Sequence, residues 1–252
     1  MTHLIIQPTP RVFHRYKSEE MCGTLPPVLF KILPEIYARR LVDSGEMMWS
    51  TLAWFQNEED PNRGDEFDAT RRHFPHGGLT VTRTQRDGRT DHAAFTLSGH
   101  GNQWRPVQSK HIFIYSMTLD PALVLGDPAA QTCVEIFDPT NFLGHVRRAV
   151  ARHRKARSET LIHDEVRYRG SDEPPEEVWA LPHMLTMHKH REHSWQREYR
   201  PAFGTRADVF DFENVDCRVL SDDVRLPRQN LDPQCHRMKL RLGSLRDCCR
   251  VR

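Results

Sequence analysis

The chain has 252 residues, of which 38% are hydrophobic and 28% charged, and its 36 Lys and Arg nearly balance its 34 Asp and Glu to give a net charge of +2. This composition excludes a collagen-like or wholly disordered chain, and the apolar runs are far shorter than the roughly 20 residues of a membrane-spanning helix. The N-terminus lacks the pattern of a secretory signal and the six cysteines form no CxxC pair, so we expect a cytoplasmic protein with reduced thiols and no membrane contact.

The sequence predicts three parts along the chain: an irregular N-terminal segment (1–27), a core domain (28–225) and a loose basic C-terminal tail (226–252). Apolar residues recur at helical spacing from Phe30 to Val42, which predicts a first helix that Gly45 ends. The run MMWSTLAWF over 47–55 predicts a strand, and a charged turn over 56–68 follows it.

The rest of the core is predicted to mix strands with few helices. Asp138 is expected to cap a second helix with an arginine-rich outer face. A short helix is predicted over 177–187, and strands over 79–83, 94–97, 111–117, 132–137, 165–169, 194–203 and 219–220. Because the order shows no regular βαβ alternation, we expect an α+β fold with a mainly antiparallel sheet, continuous or split, and a few flanking helices.

The segment SWQREYR over 194–200 carries the most specific chemistry. Read as a strand, it places Gln196, Glu198 and Arg200 on one face. A glutamate there can accept a hydrogen bond from a sugar hydroxyl and stabilise an oxocarbenium ion, while a glutamine orients the nucleophile. Glu198 and Gln196 are therefore the candidate catalytic residues. The alternative is that Glu198 pairs with Arg200 or Arg197 and ties strands together.

Two other segments offer groups that suit a nucleotide ligand. RVFHRYK over 11–17 mixes aromatic and cationic side chains, and WSTLAWFQN over 49–57 combines hydroxyls with aromatic rings. The alternatives are an exposed strand with solvated charges and an ordinary core strand. The candidate cofactor-binding residues are His14, Arg15, Tyr16, Ser50, Thr51 and Trp54.

Asp65, Glu66 and Asp68 offer three carboxylates that a metal-dependent nuclease could use. Their spacing is not that of an EF-hand loop, and a solvated charged turn is the alternative. HExxH, P-loop and dinucleotide-binding signatures are absent from the sequence, so no metal site is predicted.

Several motifs together resemble a widespread bacterial family, a domain of unknown function whose members typically read TLAYFR…RGDEFEGT…GGL. The corresponding segments here are STLAWF, RGDEFDAT and GGLTV, and the similarity continues through CVEI, VRY and WQREYR over most of residues 45–215. Asp68-Ala69-Thr70 departs from the usual acidic-Gly-Thr pattern, as does the long basic C-terminus. This resemblance implies no particular activity.

The order of motifs is also similar to that of ADP-ribosyltransferases, which have an early His/Arg strand, a Ser/Thr-aromatic strand and a late Gln/Glu-x-Glu strand. This resemblance implies a split, mainly antiparallel sheet that clamps NAD. Glu198 would be the catalytic glutamate and Gln196 its upstream partner, while Ser50 and Thr51 would support the site and His14 or Arg15 would bind NAD. The protein would then be a transferase that acts as a bacterial toxin or phage-defence effector.

The alternative function is a non-catalytic module that binds nucleic acid or an acidic protein. It would use the arginine-rich second helix together with the basic tail. The arginines in question are Arg147, Arg148, Arg152 and Arg154.

Overall fold

The computed structural model describes residues 22–57, 65–84, 90–123, 131–174, 181–221 and 236–252. Its helices are α1 (Glu35–Ser44), α2 (Leu52–Asn57), α3 (Pro139–Arg152) and α4 (Pro182–Thr186). Its strands are β1 (Leu29–Leu33), β2 (Glu46–Thr51), β3 (Arg71–His73), β4 (Leu79–Thr84), β5 (Thr90–Leu97), β6 (His100–Pro106), β7 (Ile112–Ile114), β8 (Met117–Thr118), β9 (Thr132–Ile136), β10 (Arg157–Glu165), β11 (Arg167–Arg169), β12 (His188–His190), β13 (Glu198–Gly204), β14 (Val215–Ser221), β15 (Arg237–Arg241) and β16 (Cys249–Val251).

The largest sheet has nine strands in the order β15-β2-β7-β13-β8-β1-β9-β16, with β10 also pairing with β13. Every pairing in this sheet is antiparallel. Three smaller sheets join β14-β6-β3, β4-β5 and β11-β12, and the last of these is parallel. The predicted α+β class with mainly antiparallel strands is confirmed.

The two faces of the central strands bury different cores. On one face α1 and α3 pack with Trp49, Phe113 and Phe203 in the larger hydrophobic cluster. On the other face Ile114 and Ala202 belong to a smaller cluster. Because side chains alternate along a strand, successive residues of β13 go to opposite faces. Glu198 and Arg200 therefore share the face of Ala202.

Two predicted elements are partly helix and partly strand in the structure. The first helix begins at Glu35 and not near Phe30, because the residue before Pro34 is driven to extended backbone and completes β1. Gly45 ends the helix with a left-handed conformation, as predicted. The predicted strand over 47–55 ends at Thr51, whose hydroxyl accepts a hydrogen bond from the Trp54 amide at 3.2 Å and begins α2.

The predicted strand over 194–203 is also wrong in its first part. Residues 191–196 form a 3₁₀ helix, which Arg197 ends at φ 44°, so β13 starts at Glu198 and Gln196 lies outside it. The prediction of a loose C-terminal tail is wrong for the described residues 236–252. Within them β15 pairs with β2 and β16 pairs with β9. Alternating burial along β15, with Met238 and Leu240 inside, attaches it to the sheet.

Candidate functional site

The candidate catalytic pair lies in a buried cluster of charged side chains. Gln196 and Glu198 meet at Lys189, whose Nζ donates to Gln196 Oε1 at 2.7 Å and to Glu198 Oε1 at 3.0 Å. Glu198 Oε2 accepts a hydrogen bond from Arg200 Nη2 at 2.7 Å. Both carboxylate oxygens are therefore bound to cations. The structure thus brings the two predicted residues together, and it also contains the Glu198–Arg200 ion pair that was the alternative interpretation.

Arg200 extends this cluster to a second buried carboxylate. Its guanidinium, which has no exposed surface, donates to Asp68 Oδ1 at 2.8 Å and to Asp68 Oδ2 at 3.2 Å. It also donates to the carbonyl of Thr186 at 2.8 Å. Charge-assisted contacts of this kind hold a side chain in one orientation. Arg200 therefore fixes the positions of both Glu198 and Asp68.

The neighbouring cations keep Glu198 ionised. Burial alone would raise the pKa of Glu198, but Lys189 and Arg200 outweigh it and lower the pKa from 4.5 to about 2. Burial raises the pKa of Asp68 above its ordinary value, against the opposing effect of Arg200. Glu198 is therefore a buried, ionised carboxylate held between two cations.

The three carboxylates of the nuclease hypothesis form no metal-sized group in the part of the chain that the structure describes. Asp65 Oδ2 lies 3.6 Å from His193 Nε2, and the nearby carboxylate raises the pKa of that imidazole. Asp68 is bound to Arg200, and Glu66 is exposed. Of the two buried carboxylates, Asp68 thus faces a guanidinium and Asp65 faces an imidazole.

The predicted cofactor-binding residues on β2 lie apart from the candidate catalytic pair. Ser50 of β2 and Ala202 of β13 both pair with Ile114 of β7, so they lie at the same position along the sheet. Ala202 is four residues from Glu198, or about 13 Å along the strand. Thr51 directly follows Ser50, so its side chain lies on the face of the sheet opposite to that of Ser50. Trp54 lies in α2, and the other three candidates lie outside the described residues: His14, Arg15 and Tyr16.

A cleft of about 810 Å³ lies on the face of α1 and α3, at one end of the sheet. Antiparallel pairing brings the end of β13 beside the starts of β7 and β10, and the start of β15 and the loop after α3 complete the walls. The lining residues are Lys110, His111, Phe113, His153, Arg154, Lys155, Arg157, Thr205, His236, Arg237, Met238 and Lys239.

This cleft is strongly cationic. Its described lining contains six Lys or Arg and three His, without any Asp or Glu. Arg237 lies over the ring of Trp54 at 4.5 Å, and Lys239 Nζ is 2.9 Å from Glu46. By contrast, Arg154, Lys155 and Arg157 are exposed and make no salt bridge with any described residue. A concave surface with such an excess of one charge concentrates anions.

Two imidazoles of the cleft are positioned by threonine hydroxyls. Thr51 Oγ1 lies 2.9 Å from His236 Nδ1, and Thr205 Oγ1 lies 3.1 Å from His111 Nδ1. Burial and the charge of Lys110 lower the pKa of His111 below its ordinary 6.5. His111 is therefore neutral at pH 7 in the free protein, and a bound anion would favour its charged form.

The predicted site residues thus divide between two places. Thr51 and Trp54 contact His236 and Arg237 of the cleft, whereas Gln196 and Glu198 belong to the buried cluster. Of the predicted basic residues, Arg154 lines the cleft but follows the end of α3. The cleft residues that sequence reasoning missed come from unconnected segments: Lys110, His111, His153, Lys155, Arg157 and His236. The sequence signal that indicates part of this cleft is the run of basic residues at 153–157, between the end of a helix and the start of a strand.

No protein-family model, curated protein or solved structure matches the chain. None of the helices in the described ranges combines the length and the apolar character needed to cross a membrane.

Proposed function

We propose that the protein binds nucleic acid through backbone phosphates in the cationic cleft. The observation that carries this proposal is the concentration of Lys, Arg and His in one concave site whose described lining has no carboxylate. Phosphate oxygens suit such a site because guanidinium groups bind them by paired, charge-assisted hydrogen bonds. A cleft of about 810 Å³ lies within the size range of ligand-binding pockets.

Phosphate contacts position a nucleic acid without reading its bases. We therefore expect binding that depends weakly on sequence and strongly on salt. Arg154 and Arg157 are the side chains best placed to test this, because they line the cleft, are exposed and form no salt bridge with a described residue. Arg147 and Arg148 provide a matched control, since they are equally exposed on α3 but do not line the cleft.

The experiment measures binding of a fluorescent single-stranded oligonucleotide by anisotropy over a range of salt concentrations. Arg154→Gln with Arg157→Gln should weaken binding and reduce the slope of log K against log[salt] by about 1.4, or about 0.7 for each lost contact with a single-strand phosphate. Arg147→Gln with Arg148→Gln should leave affinity and slope close to those of the wild type. Equal losses in both double variants would reject the cleft as the binding site.

A second arm separates nucleic acid from an acidic protein. Polyglutamate of matched charge should compete poorly with the oligonucleotide, because its planar carboxylates differ in geometry and spacing from the tetrahedral phosphates of a nucleic-acid backbone. Competition as strong as that of unlabelled oligonucleotide would contradict the assignment to phosphate.

NAD-dependent ADP-ribosyl transfer by Glu198, on an ADP-ribosyltransferase-like sheet, is a second proposal. It is favoured by one observation, the convergence of Gln196 and Glu198 at Lys189. It predicts that the wild-type protein hydrolyses or transfers from NAD and that a folded Glu198→Gln variant does not. Glu159→Gln, at an exposed position of β10, is the control. An inactive wild-type protein would reject the transferase proposal and leave the cleft proposal untouched.

A further inference from the structure

Three side chains with metal-binding atoms meet where the C-terminal segment packs on α3. A ring nitrogen of His145, a carboxylate oxygen of Asp247 and the Sγ of Cys248 all lie within 4.8 Å of one another. His145 Nε2 and Asp247 Oδ2 are 3.5 Å apart. In a tetrahedral zinc site, metal–ligand distances of about 2.0–2.3 Å place a nitrogen and an oxygen ligand about 3.4 Å apart. The group is therefore close to the dimensions of a metal site.

Neighbouring groups hold two of the three side chains in a ligating orientation. His145 Nδ1 lies 3.3 Å from the carbonyl oxygen of Leu242, to which its N–H can donate a hydrogen bond. In that tautomer Nε2 carries no proton, so its lone pair is available to a metal ion. Asn141 Nδ2 donates to Asp247 Oδ2 at 2.9 Å. Metal-binding histidines and carboxylates characteristically have such supporting hydrogen bonds.

The third side chain supplies the soft ligand. Cys248 has no exposed surface, and its Sγ lies 3.5 Å from the carbonyl of Leu245 and 3.7 Å from the Sγ of Cys249. Of the two neighbouring thiols, Cys248 is the one whose sulfur lies within 4.8 Å of the ligand atoms of both His145 and Asp247, so geometry makes it the sulfur ligand.

We propose that His145, Asp247 and Cys248 bind one divalent metal ion of the zinc class, with a fourth position open to water. A thiolate, an imidazole and a carboxylate together match the preference of Zn²⁺ and not that of Mg²⁺ or Ca²⁺, which take oxygen ligands. On binding, the Cys248 thiol releases its proton to solvent and the sulfur bonds to the metal. Asp247, whose side chain is 56% exposed, leaves a path from solvent to the site.

The bound ion would tie the C-terminal segment to α3. His145 lies on the helix whose C-terminal loop lines the cleft, and Arg154 is nine residues further along the chain. The metal site nevertheless shares no residue with the cleft, so the two proposals stand or fall separately.

The experiment uses the full chain, with Co²⁺ as a spectroscopic probe and Zn²⁺ content measured after equilibrium dialysis. We expect one equivalent of metal, a thiolate-to-cobalt charge-transfer band, and displacement of Co²⁺ by Zn²⁺. His145→Gln and Asp247→Asn should each lower affinity at least about tenfold. Both side chains are partly exposed, at 17% and 56%, so these variants should fold even if Cys248→Ser does not.

Cys249→Ser is the matched control, because this thiol is as buried as that of Cys248 and adjacent to it but lies outside the group. The control should keep both the metal and the charge-transfer band. A wild-type chain without the band would overturn the proposal, as would an affinity that His145→Gln and Asp247→Asn leave unchanged. Loss of the band in Cys249→Ser would overturn the assignment of Cys248 as the sulfur ligand.

Discussion

Glu198→Gln keeps the shape of the side chain but removes the charge that Lys189 and Arg200 share. In the wild type each carboxylate oxygen accepts one hydrogen bond, at 3.0 Å from Lys189 Nζ and at 2.7 Å from Arg200 Nη2. A carboxamide has one oxygen, so its NH₂ group must face one of these donors. The variant therefore loses a charge-assisted hydrogen bond and leaves a buried cation without its counter-charge.

The size of the effect follows from the pKa of Glu198. A carboxyl whose pKa falls from 4.5 to about 2 on folding stabilises the native state by about 3 kcal/mol at neutral pH. This agrees with the ~3–5 kcal/mol typical for breaking one side of a buried ion pair. For a chain of this length the midpoint of thermal unfolding should fall by about 6–12 °C.

The pH dependence has a definite sign. Because folding lowers the pKa of Glu198, its stabilising contribution is complete above pH 4.5 and is lost as the pH falls toward about 2. The difference in unfolding free energy between wild type and variant should therefore be constant near neutrality and should narrow in acid.

Urea unfolding followed by tryptophan fluorescence measures this difference. Glu159→Gln is the control, because Glu159 is exposed on β10 and forms no salt bridge with a described residue, so its loss should change stability by less than about 0.5 kcal/mol. If Glu198→Gln costs no more than this control, Glu198 is not a carboxylate held between two cations, and the reasoning about the cluster fails.

Two further predictions concern other parts of the structure. Gly45→Ala should destabilise the fold by about 1–2 kcal/mol or more in the same urea titration, because Gly45 has φ 63° and a Cβ there would lie 2.3 Å from the carbonyl oxygen of Gly243. Gly144→Ala should instead stabilise the fold by up to about 1 kcal/mol, because Gly144 lies in α3 and its added Cβ would have its nearest neighbour at 3.6 Å. Oligonucleotide affinity should rise as the pH is lowered below about 6.5, since His111, whose pKa burial and Lys110 hold below 6.5, then gains a positive charge. Anisotropy should show a smaller rise for His111→Gln, and an unchanged rise would exclude His111 from the binding site.

Local patterns in the sequence predicted elements well where capping residues mark their ends. Asp138 caps α3 as expected, with its carboxylate accepting from the Asn141 amide at 3.0 Å, and Gly45 ends α1. The hydroxyl of Thr51 is an equally good signal for the start of α2, but the prediction treated the residues after it as a continuation of the strand. The left-handed backbone of Arg197 has no such marker, since arginine rarely adopts it, and the start of β13 was misplaced as a result.

The C-terminal strands show a different limit of predicting structure from local sequence patterns. The segment RMKLR over 237–241 has the alternation of a half-buried strand, but it stands in a basic stretch that offers few other apolar residues. Its place in the sheet depends on pairing with β2, nearly 190 residues earlier in the chain. Pairing at that separation is decided by the complementary apolar faces of Trp49 and Met238. The residue pattern within either segment alone does not indicate this match.

Burial separates the predicted catalytic pair from the residues of the cleft. Gln196 and Glu198 are close in sequence and form a recognisable motif, but the fold buries both side chains in the interior. Buried carboxylates of this kind need cationic partners, which Lys189 and Arg200 supply. The cleft has no motif, because its cations come from separate segments of the chain, and three of them, Arg154, Lys155 and Arg157, are exposed and form no salt bridge with a described residue. A net charge of +2 is therefore compatible with a site that carries a large local excess of positive charge, since the carboxylates that balance it lie elsewhere in the chain.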